Sequence, residues 1–347
     1  MIISISLKNI LFLSGVLFFI SLILTYFIRC AALNHKILDI PNERSSHVSP
    51  VPRGGGLAIV LAWYFGITVL YYLKYIESSL YFAMLSGILL AIISLIDDLI
   101  SLKPVIRLSA QIITALAAFV LIKEINPVII LGVEINSLVI LYPLVIIGIV
   151  WFINLYNFLD GIDGYASLEA ITIAASMFIF TGSLINFMLI ACILGFLFWN
   201  WPKAKIFMGD IGSTQLGFIL IVLGIYFHNK SELSIVNWIM LSSLFWFDAT
   251  LTLFRRWRNK EKLSVAHRKH AYQRAVQSGM THQKTVLLSI VINVIIASLV
   301  FISRKYEFLL IPSFIFNLLF LYGITLLIDR KVPFGKIRSN NQTPLME

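Results

Sequence analysis

The chain has 347 residues, 59% of them hydrophobic and 13% charged, with 27 Lys and Arg against 17 Asp and Glu for a formal charge of +10. A mean hydropathy of +0.91 excludes an ordinary soluble domain, whose core cannot use this much apolar surface. The basic surplus suits anionic headgroups and phosphorylated ligands, and no nucleic acid is expected as a partner because no soluble domain is present to grip it.

A helix that crosses a bilayer needs about 20 mostly apolar residues. The apolar runs predict eleven such spans, near 9–28, 56–73, 79–96, 108–122, 138–156, 165–182, 184–199, 213–228, 235–254, 284–303 and 308–328. The expected fold class is all-α: one polytopic membrane domain over 1–330 and a polar cytoplasmic tail over 331–347. The first run lacks a small-residue cleavage pattern and meets a basic loop directly, so it reads as an uncleaved span. With the N-terminus outside, one set of loops holds 21 of the 27 basic residues, which places that set and the C-terminus in the cytoplasm. The 123–137 segment, with Pro127 and Gly132, reads as a short outside hairpin or re-entrant piece. Cys30 and Cys192 give neither a disulfide framework nor metal spacing.

The polar motifs fall on the cytoplasmic side. In the first loop, DIPNERSSHVSPVPRGGG, the cationic candidates Arg44, His47 and Arg53 precede Gly54–Gly56. Glycine there permits close backbone approach to a phosphate or to a neighbouring helix. Asp97 and Asp98 then close the third span. Neighbours on a helix point about 100° apart, so only one faces a given point, and acids at a helix C-terminus oppose its dipole. That placement favours a functional reading over a solvated helix end. Lys103 and Arg107 follow directly.

In NLYNFLDGIDG, Asn154, Asn157 and Asp160 recur every third residue and can share a face, and Gly161 brings Asp163 around. A cap and turn alone would not call for two asparagines in an apolar helix. Asn200 ends the seventh run, and FMGDIGS sets Phe207, a ring for a base to stack on, before Asp210. Hard carboxylate oxygens suit magnesium, which takes one or two of them plus substrate phosphates. Asp248 is an acid well inside a span, with structural pairing as good a reading as catalysis. In the longest basic loop, AHRKHAYQRAV, His267 and His270 stand at i,i+3 and can share a helical face beside Arg268, Lys269 and Arg274. So many cations oppose a zinc ion and serve a diphosphate better.

PNERSSH…PRGGG, the DD pair, NxxNxxDGxDG, FMGDIGS and the histidine loop occur in one order over nearly the whole chain. In that order and wording the chain resembles the polyprenyl-phosphate N-acetylaminosugar-1-phosphate transferases, among them the phospho-N-acetylmuramoyl-pentapeptide translocase. The resemblance implies an enzyme of the bacterial inner membrane with its active site on the cytoplasmic face. It would move a sugar-1-phosphate from a UDP-N-acetylhexosamine to undecaprenyl phosphate among membrane lipids, releasing UMP, with magnesium or in its place manganese. A homodimer is left open. Carried onto this sequence, Asp210 matches the metal ligand, Asp97 the acid at the lipid phosphate and Asp98 its neighbour. Asp160 and Asp163, with Asn157, match the nucleotide- and metal-proximal motif. Asn200 and Phe207 look like uracil-side contacts, His267 and His270 like the diphosphate- or sugar-side loop, and Lys103 with Arg107 like the basic loop after the acids. The chain departs from the family in the last loop, where HRKHAYQ replaces three consecutive histidines or His-x-His-His. That pattern looks more like the O-antigen initiators that take 6-deoxy sugars such as N-acetylfucosamine or N-acetylquinovosamine.

An ion-coupled transporter is the rival reading. It would favour polar groups at the midplane and paired, broken helices, whereas these acids concentrate at one face.

Overall fold

A computed structural model describes residues 7–41, 49–122, 125–130, 133–263, 265 and 267–336. The helices, in chain order, are α1 (Leu7–Asn34), α2 (Gly56–Tyr72), α3 (Ser78–Leu85), α4 (Gly87–Ile100), α5 (Pro104–Ile122), α6 (Leu138–Asn157), α7 (Tyr165–Thr181), α8 (Leu184–Asn200), α9 (Asp210–Asn229), α10 (Ile235–Leu241), α11 (Ser243–Arg258), α12 (Ala271–Gln277), α13 (His282–Lys305) and α14 (Leu310–Lys331). Two short antiparallel strand pairs lie in the loops. The strands Leu38–Asp39 (β1) and Val51–Pro52 (β2) clip the ends of the first long loop together. Val128–Ile130 (β3) and Val133–Ile135 (β4) form a hairpin within the segment expected to make one.

Each of the eleven apolar runs is helical, but length separates them. Among the described residues seven spans are long and apolar enough to cross a membrane, with α3 and α4 together making one over Ser78–Ile100, or eight if α10 and α11, bent by 77°, make another. α2, α7 and α8 have 17 residues each, which is ~26 Å at the helical rise, a little short of the ~30 Å hydrocarbon thickness.

α9 is the axis of the bundle. Its apolar window is 89% buried, against 22–39% for the other long spans, so its neighbours, not lipid, cover its sides. Small residues make this crowding feasible. A methyl group added at Gly217 would lie 3.1 Å from the Ile153 Cα on α6, and one at Gly224 would lie 2.5 Å from the Trp238 ring on α10. Gly195 of α8 faces the backbone of α1 in the same way, its Cβ position 2.4 Å from the Phe18 carbonyl oxygen. Without a hydrophobic driving force between helices in lipid, such close packing and interhelical hydrogen bonds hold spans together. The bonds here include Ser94 to Thr214 at 2.9 Å, Gln215 Nε2 to the Gly87 carbonyl at 2.6 Å and Asn293 Nδ2 to Glu169 at 3.0 and 3.1 Å.

The chain stays packed for a few residues beyond the last apolar run. After α14 the chain turns through a 3-10 helix at Phe334–Lys336, and the Phe334 ring packs 5.4 Å from the cationic groups of Arg255, Lys269 and Arg274. Residues 337–347 lie outside the described residues.

We predict that Gly195→Leu lowers the thermal midpoint of the detergent-solubilised protein, because overpacking a close crossing costs ~1–3 kcal/mol. Gly323→Leu, where no described residue lies within 4 Å of the added Cβ, should leave it unchanged. Equal midpoints in a fluorescence melting assay would show that α1 and α8 do not cross this closely.

Candidate active site

The site is built on the N-terminus of α9, and the glycine-rich loop is what delivers that terminus. The Phe207 N–H donates to the Pro52 carbonyl at 2.8 Å, Gly55 N–H to Phe207 at 2.9 Å and Gly56 N–H to Met208 at 2.8 Å. PRGGG and FMGD thus zip together. Gly56 and Gly212 then meet backbone to backbone, a Cβ at Gly56 falling 2.3 Å from the Gly212 Cα. Of the two uses open to those glycines, the structure takes the second: they admit a neighbouring chain.

Gly209, at φ +76°, is the pivot. A side chain there would strike the Asp98 carboxylate, 2.7 Å from its Cβ position. Asp98 accepts the N–H groups of Asp210 at 3.0 Å and Ile211 at 3.1 Å, so it caps α9 and meets the positive end of that helix. Asp97 diverges from its neighbour, as adjacent helical positions must. Its Oδ1 accepts the Leu102 N–H at 2.5 Å and its Oδ2 accepts Arg107 Nη1 at 2.9 Å. Asp97 also makes a hydrogen-bonding contact with Asp210, and Arg107 Nη1 lies 3.6 Å from Asp210 Oδ2. Asp160 accepts the Gly209 N–H from the other side, and burial, then the charges of Asp210 and Asp98, pushes its carboxyl up to about 7. Asn157 Oδ1 accepts the Ser213 hydroxyl one turn into α9. Asp97, Asp98, Asp160 and Asp210 therefore converge, with Arg107 and Arg53 as nearby cations. The Arg53 Nε is buried and has no hydrogen-bond partner among the described residues.

Other expected members are brought elsewhere. Asp163 turns away from Asp210: its Oδ2 accepts the Ala204 N–H at 3.2 Å and lies 3.2 Å from His282 Nδ1. Asn154 is engaged both ways with Gln111 of α5, at 2.7 and 3.3 Å. Asn200, expected on the uracil side, is buried and accepts the Gly164 N–H at 3.0 Å while donating to the Ile206 carbonyl at 2.9 Å. Both amides are paired within the protein, as polar groups in a bundle should be, and Asn154 also lines the cavity that Asn157, Arg107 and Asp210 line. Phe207 is held by its backbone in the zipper, and its ring is half-buried. Lys103 is exposed in the α4–α5 turn. Arg44 and His47 lie outside the described residues.

The histidine loop corrects a second expectation. Residues 267–270 are not helical, and α12 begins at Ala271 with His270 as its cap. The rings of His267 and His270 still lie 4.9 Å apart. His270 is buried against Phe158, at 5.9 Å, and the Tyr272 hydroxyl donates to the Phe158 carbonyl at 2.7 Å. Gly161 leaves room for that hydroxyl, which would lie 2.3 Å from a Cβ there. The loop thus docks on the DGIDG turn beside Asp160. Burial pushes His270 down to about 3, helped by Arg256 and Arg274, and pushes His267 down to about 3, helped by His270, Arg256 and Lys269. Both rings are neutral at physiological pH. Arg268 bounds the loop through its carbonyl, which accepts Gln277 Nε2 at 2.8 Å.

Several further side chains hold this site, and of these Arg256, Glu261, Asp329 and His282 stand in no motif. Asp248 accepts the Ala271 N–H at 2.7 and 2.9 Å and so sets the start of α12. Arg256 holds the carbonyls of Lys262, Leu263 and Val265, and Lys269 pairs with Glu261 at 2.6 Å. Arg274 pairs with Asp329 at the end of α14. His282, beside Asp163, carries no motif; a spacing of 119 residues hides the pair.

Beneath the carboxylates opens a cavity of about 710 Å³. Arg107, Asn157 and Asp210 stand at its polar end, and Leu108, Ile112, Ile146, Val150 and Leu253 line its apolar walls. Among the described residues no group of three or more His, Cys, Asp and Glu is arranged around one ion. Asp97 and Asp210 nevertheless offer two adjacent hard carboxylates, a set that fits magnesium completed by water and phosphate oxygens.

A family model described as glycosyl transferase family 4 matches residues 80–228. Over 288 residues, 79% of each chain, the protein is 30% identical to the probable undecaprenyl-phosphate N-acetylglucosaminyl 1-phosphate transferase of Bacillus subtilis (strain 168). The chain belongs to the polyprenyl-phosphate aminosugar-1-phosphate transferase family. It is also 27% identical over 330 residues to the undecaprenyl-phosphate alpha-N-acetylglucosaminyl 1-phosphate transferase of Escherichia coli (strain K12), covering 89% of this chain and 88% of that one. The enzyme of the same name from Thermotoga maritima is 28% identical over 297 residues, 84% of this chain and 89% of its own.

Asp98 and Asp210 should separate in a melting assay. Asp98→Ala removes the cap of α9, worth ~0.5–2 kcal/mol, and should lower the thermal midpoint. Asp210→Ala removes one of several crowded like charges and should hold or raise the midpoint in metal-free buffer. A lower midpoint for Asp210→Ala would show its carboxylate to be structural.

Proposed function

We propose that this transferase moves an N-acetylhexosamine-1-phosphate from a UDP-sugar to undecaprenyl phosphate, releasing UMP, at the cytoplasmic face of a bacterial inner membrane. The observation that carries this reading is the meeting of a carboxylate cluster with the mouth of an apolar cavity. A lipid phosphate needs both, an electrostatically organised seat for its head and hydrocarbon walls for its chain. The names of the relatives point to the same acceptor, and they lend the transporter reading no support. Eleven spans with an outside N-terminus remain the topology that the basic residues favour.

The reaction joins two anions, so positioning and charge compensation dominate it. An acceptor phosphate oxygen forms a new bond to the sugar-bearing phosphorus, the bridging P–O bond breaks, and its electrons leave on UMP. A phosphate monoester has a second pKa of about 6 and is mostly dianionic at neutral pH, so no strong base is required. Arg53, with its unpaired buried Nε, supplies a donor for a phosphate oxygen. Arg107 stands at the cavity mouth for another. Asp97 and Asp210 would hold magnesium, which would supply charge neutralisation to the diphosphate. The neutral His267 and His270 rings offer hydrogen bonds to the donor rather than net charge. We assign the donor as a 6-deoxy N-acetylhexosamine, and the product as the start of an O-antigen-like polysaccharide, from the HRKHAYQ loop.

A panel of UDP-sugars with undecaprenyl phosphate and magnesium tests the proposal. UMP release should be fastest with a UDP-6-deoxy-N-acetylhexosamine. Faster release with UDP-N-acetylglucosamine would overturn the sugar assignment, and no release with any donor would sink the transfer reaction itself. A pH profile tests Asp160, which is neutral below and anionic above about 7. A nearby cation favours the anion and lowers that value. Activity should therefore rise through neutral pH, and the rise should move to lower pH as magnesium is increased. Asp160→Asn, which is neutral at every pH, should abolish the rise.

A further inference from the structure

Arg107 lies across the two carboxylates best placed for a divalent cation, 2.9 Å from Asp97 Oδ2 and 3.6 Å from Asp210 Oδ2. The acids cannot disperse to relieve their repulsion. The second oxygen of Asp97 is tied to the Leu102 N–H, and both oxygens of Asp98 are tied to the start of α9. A cation across Asp97 and Asp210 relieves that repulsion. Arg107 is the most exposed partner in this set. Its side chain is 40% exposed and that of Asp210 is 35% exposed, whereas Asp97 is only 6% exposed. It also sits in the first turn of α5, where a helix dipole disfavours a cation. Its place is thus set by the carboxylates and not by its own helix. Guanidinium and divalent cation compete for these carboxylates, because two cations held at contact distance repel one another.

Resting on the transferase reading for the acceptor, we propose that Arg107 is an exchangeable counter-ion. It covers Asp97 and Asp210 until a divalent cation takes their oxygens, and the released guanidinium then binds the acceptor phosphate at the cavity mouth. Metal and acceptor each favour the released position, so each strengthens the other's binding. Linkage makes that coupling reciprocal. The exchange gives Arg107 two sequential partners, and it makes an empty site hold metal weakly until a lipid phosphate is present.

Binding of Mn2+ alone to the purified full chain, followed by electron paramagnetic resonance of the free ion, tests this without any turnover. Arg107→Gln should bind Mn2+ about tenfold more tightly than the parent, the size of a typical coupling between sites. Undecaprenyl phosphate should tighten Mn2+ binding in the parent and leave it unchanged in Arg107→Gln. Arg107→Lys keeps the charge and should fall between them, which also serves if the glutamine variant does not fold. Unchanged or weaker Mn2+ binding in Arg107→Gln would overturn the exchange and make Arg107 a fixed structural partner. Mn2+ binding by the parent that undecaprenyl phosphate leaves untouched would overturn the acceptor half. Failure of the transferase reading is a separate outcome, seen as absence of UMP release by the parent protein.

Discussion

The arrangement depends on one electrostatic problem, the gathering of Asp97, Asp98, Asp160 and Asp210 at the start of a single central helix. Like charges held this close repel, and burial raises the cost. The structure meets the problem with backbone N–H groups first: those of Leu102, Gly209, Asp210 and Ile211 each serve one of these carboxylates. α9 contributes its positive end, and this is why a helix that is 89% buried along its apolar window begins with an acid. Asp97 and Asp98 oppose the dipole of α4, but Asp98 gains that of α9 in exchange. What the backbone leaves uncompensated falls to Arg107, and in the proposed reaction to metal and phosphate.

The second organising feature is the polar knot that carries the histidines. Its cations are largely spoken for within the protein: Arg256 by loop carbonyls and Glu261, Lys269 by Glu261, Arg274 by Asp329. Their work is to hold the loop against the DGIDG turn, where Tyr272 and His270 meet Phe158. The end of α14 and Phe334 close the knot from outside, so the chain after the last apolar run is part of the scaffold of the loop. A basic sequence here means packing as much as attraction.

Much of this was readable in one dimension because membrane helices must satisfy their backbone internally, which makes apolar length a strong signal. The acids were readable for the same reason: carboxylates at the ends of apolar runs are costly and need a use. The individual roles were less so. Asn154 and Asn200 have the residue type of ligands, but each has both functional groups taken by neighbours. A three-residue spacing puts His267 and His270 on one helical face only if a helix is present, and that helix starts at Ala271, held by Asp248, four residues after His267. His282 could not be paired with Asp163 from spacing at all.

The sequence by itself determined the class of the molecule, the positions of its helices and the set of residues from which a site could be made, because hydropathy and motif order are local properties of the chain. Tertiary structure decided which of those residues meet. Gly56 against Gly212 and the PRGGG–FMGD zipper bring Asp97, Asp98, Asp160 and Asp210 to one point, while Asp163 is drawn off to His282. Such choices rest on contacts between segments a hundred residues apart, and only the packed bundle specifies them.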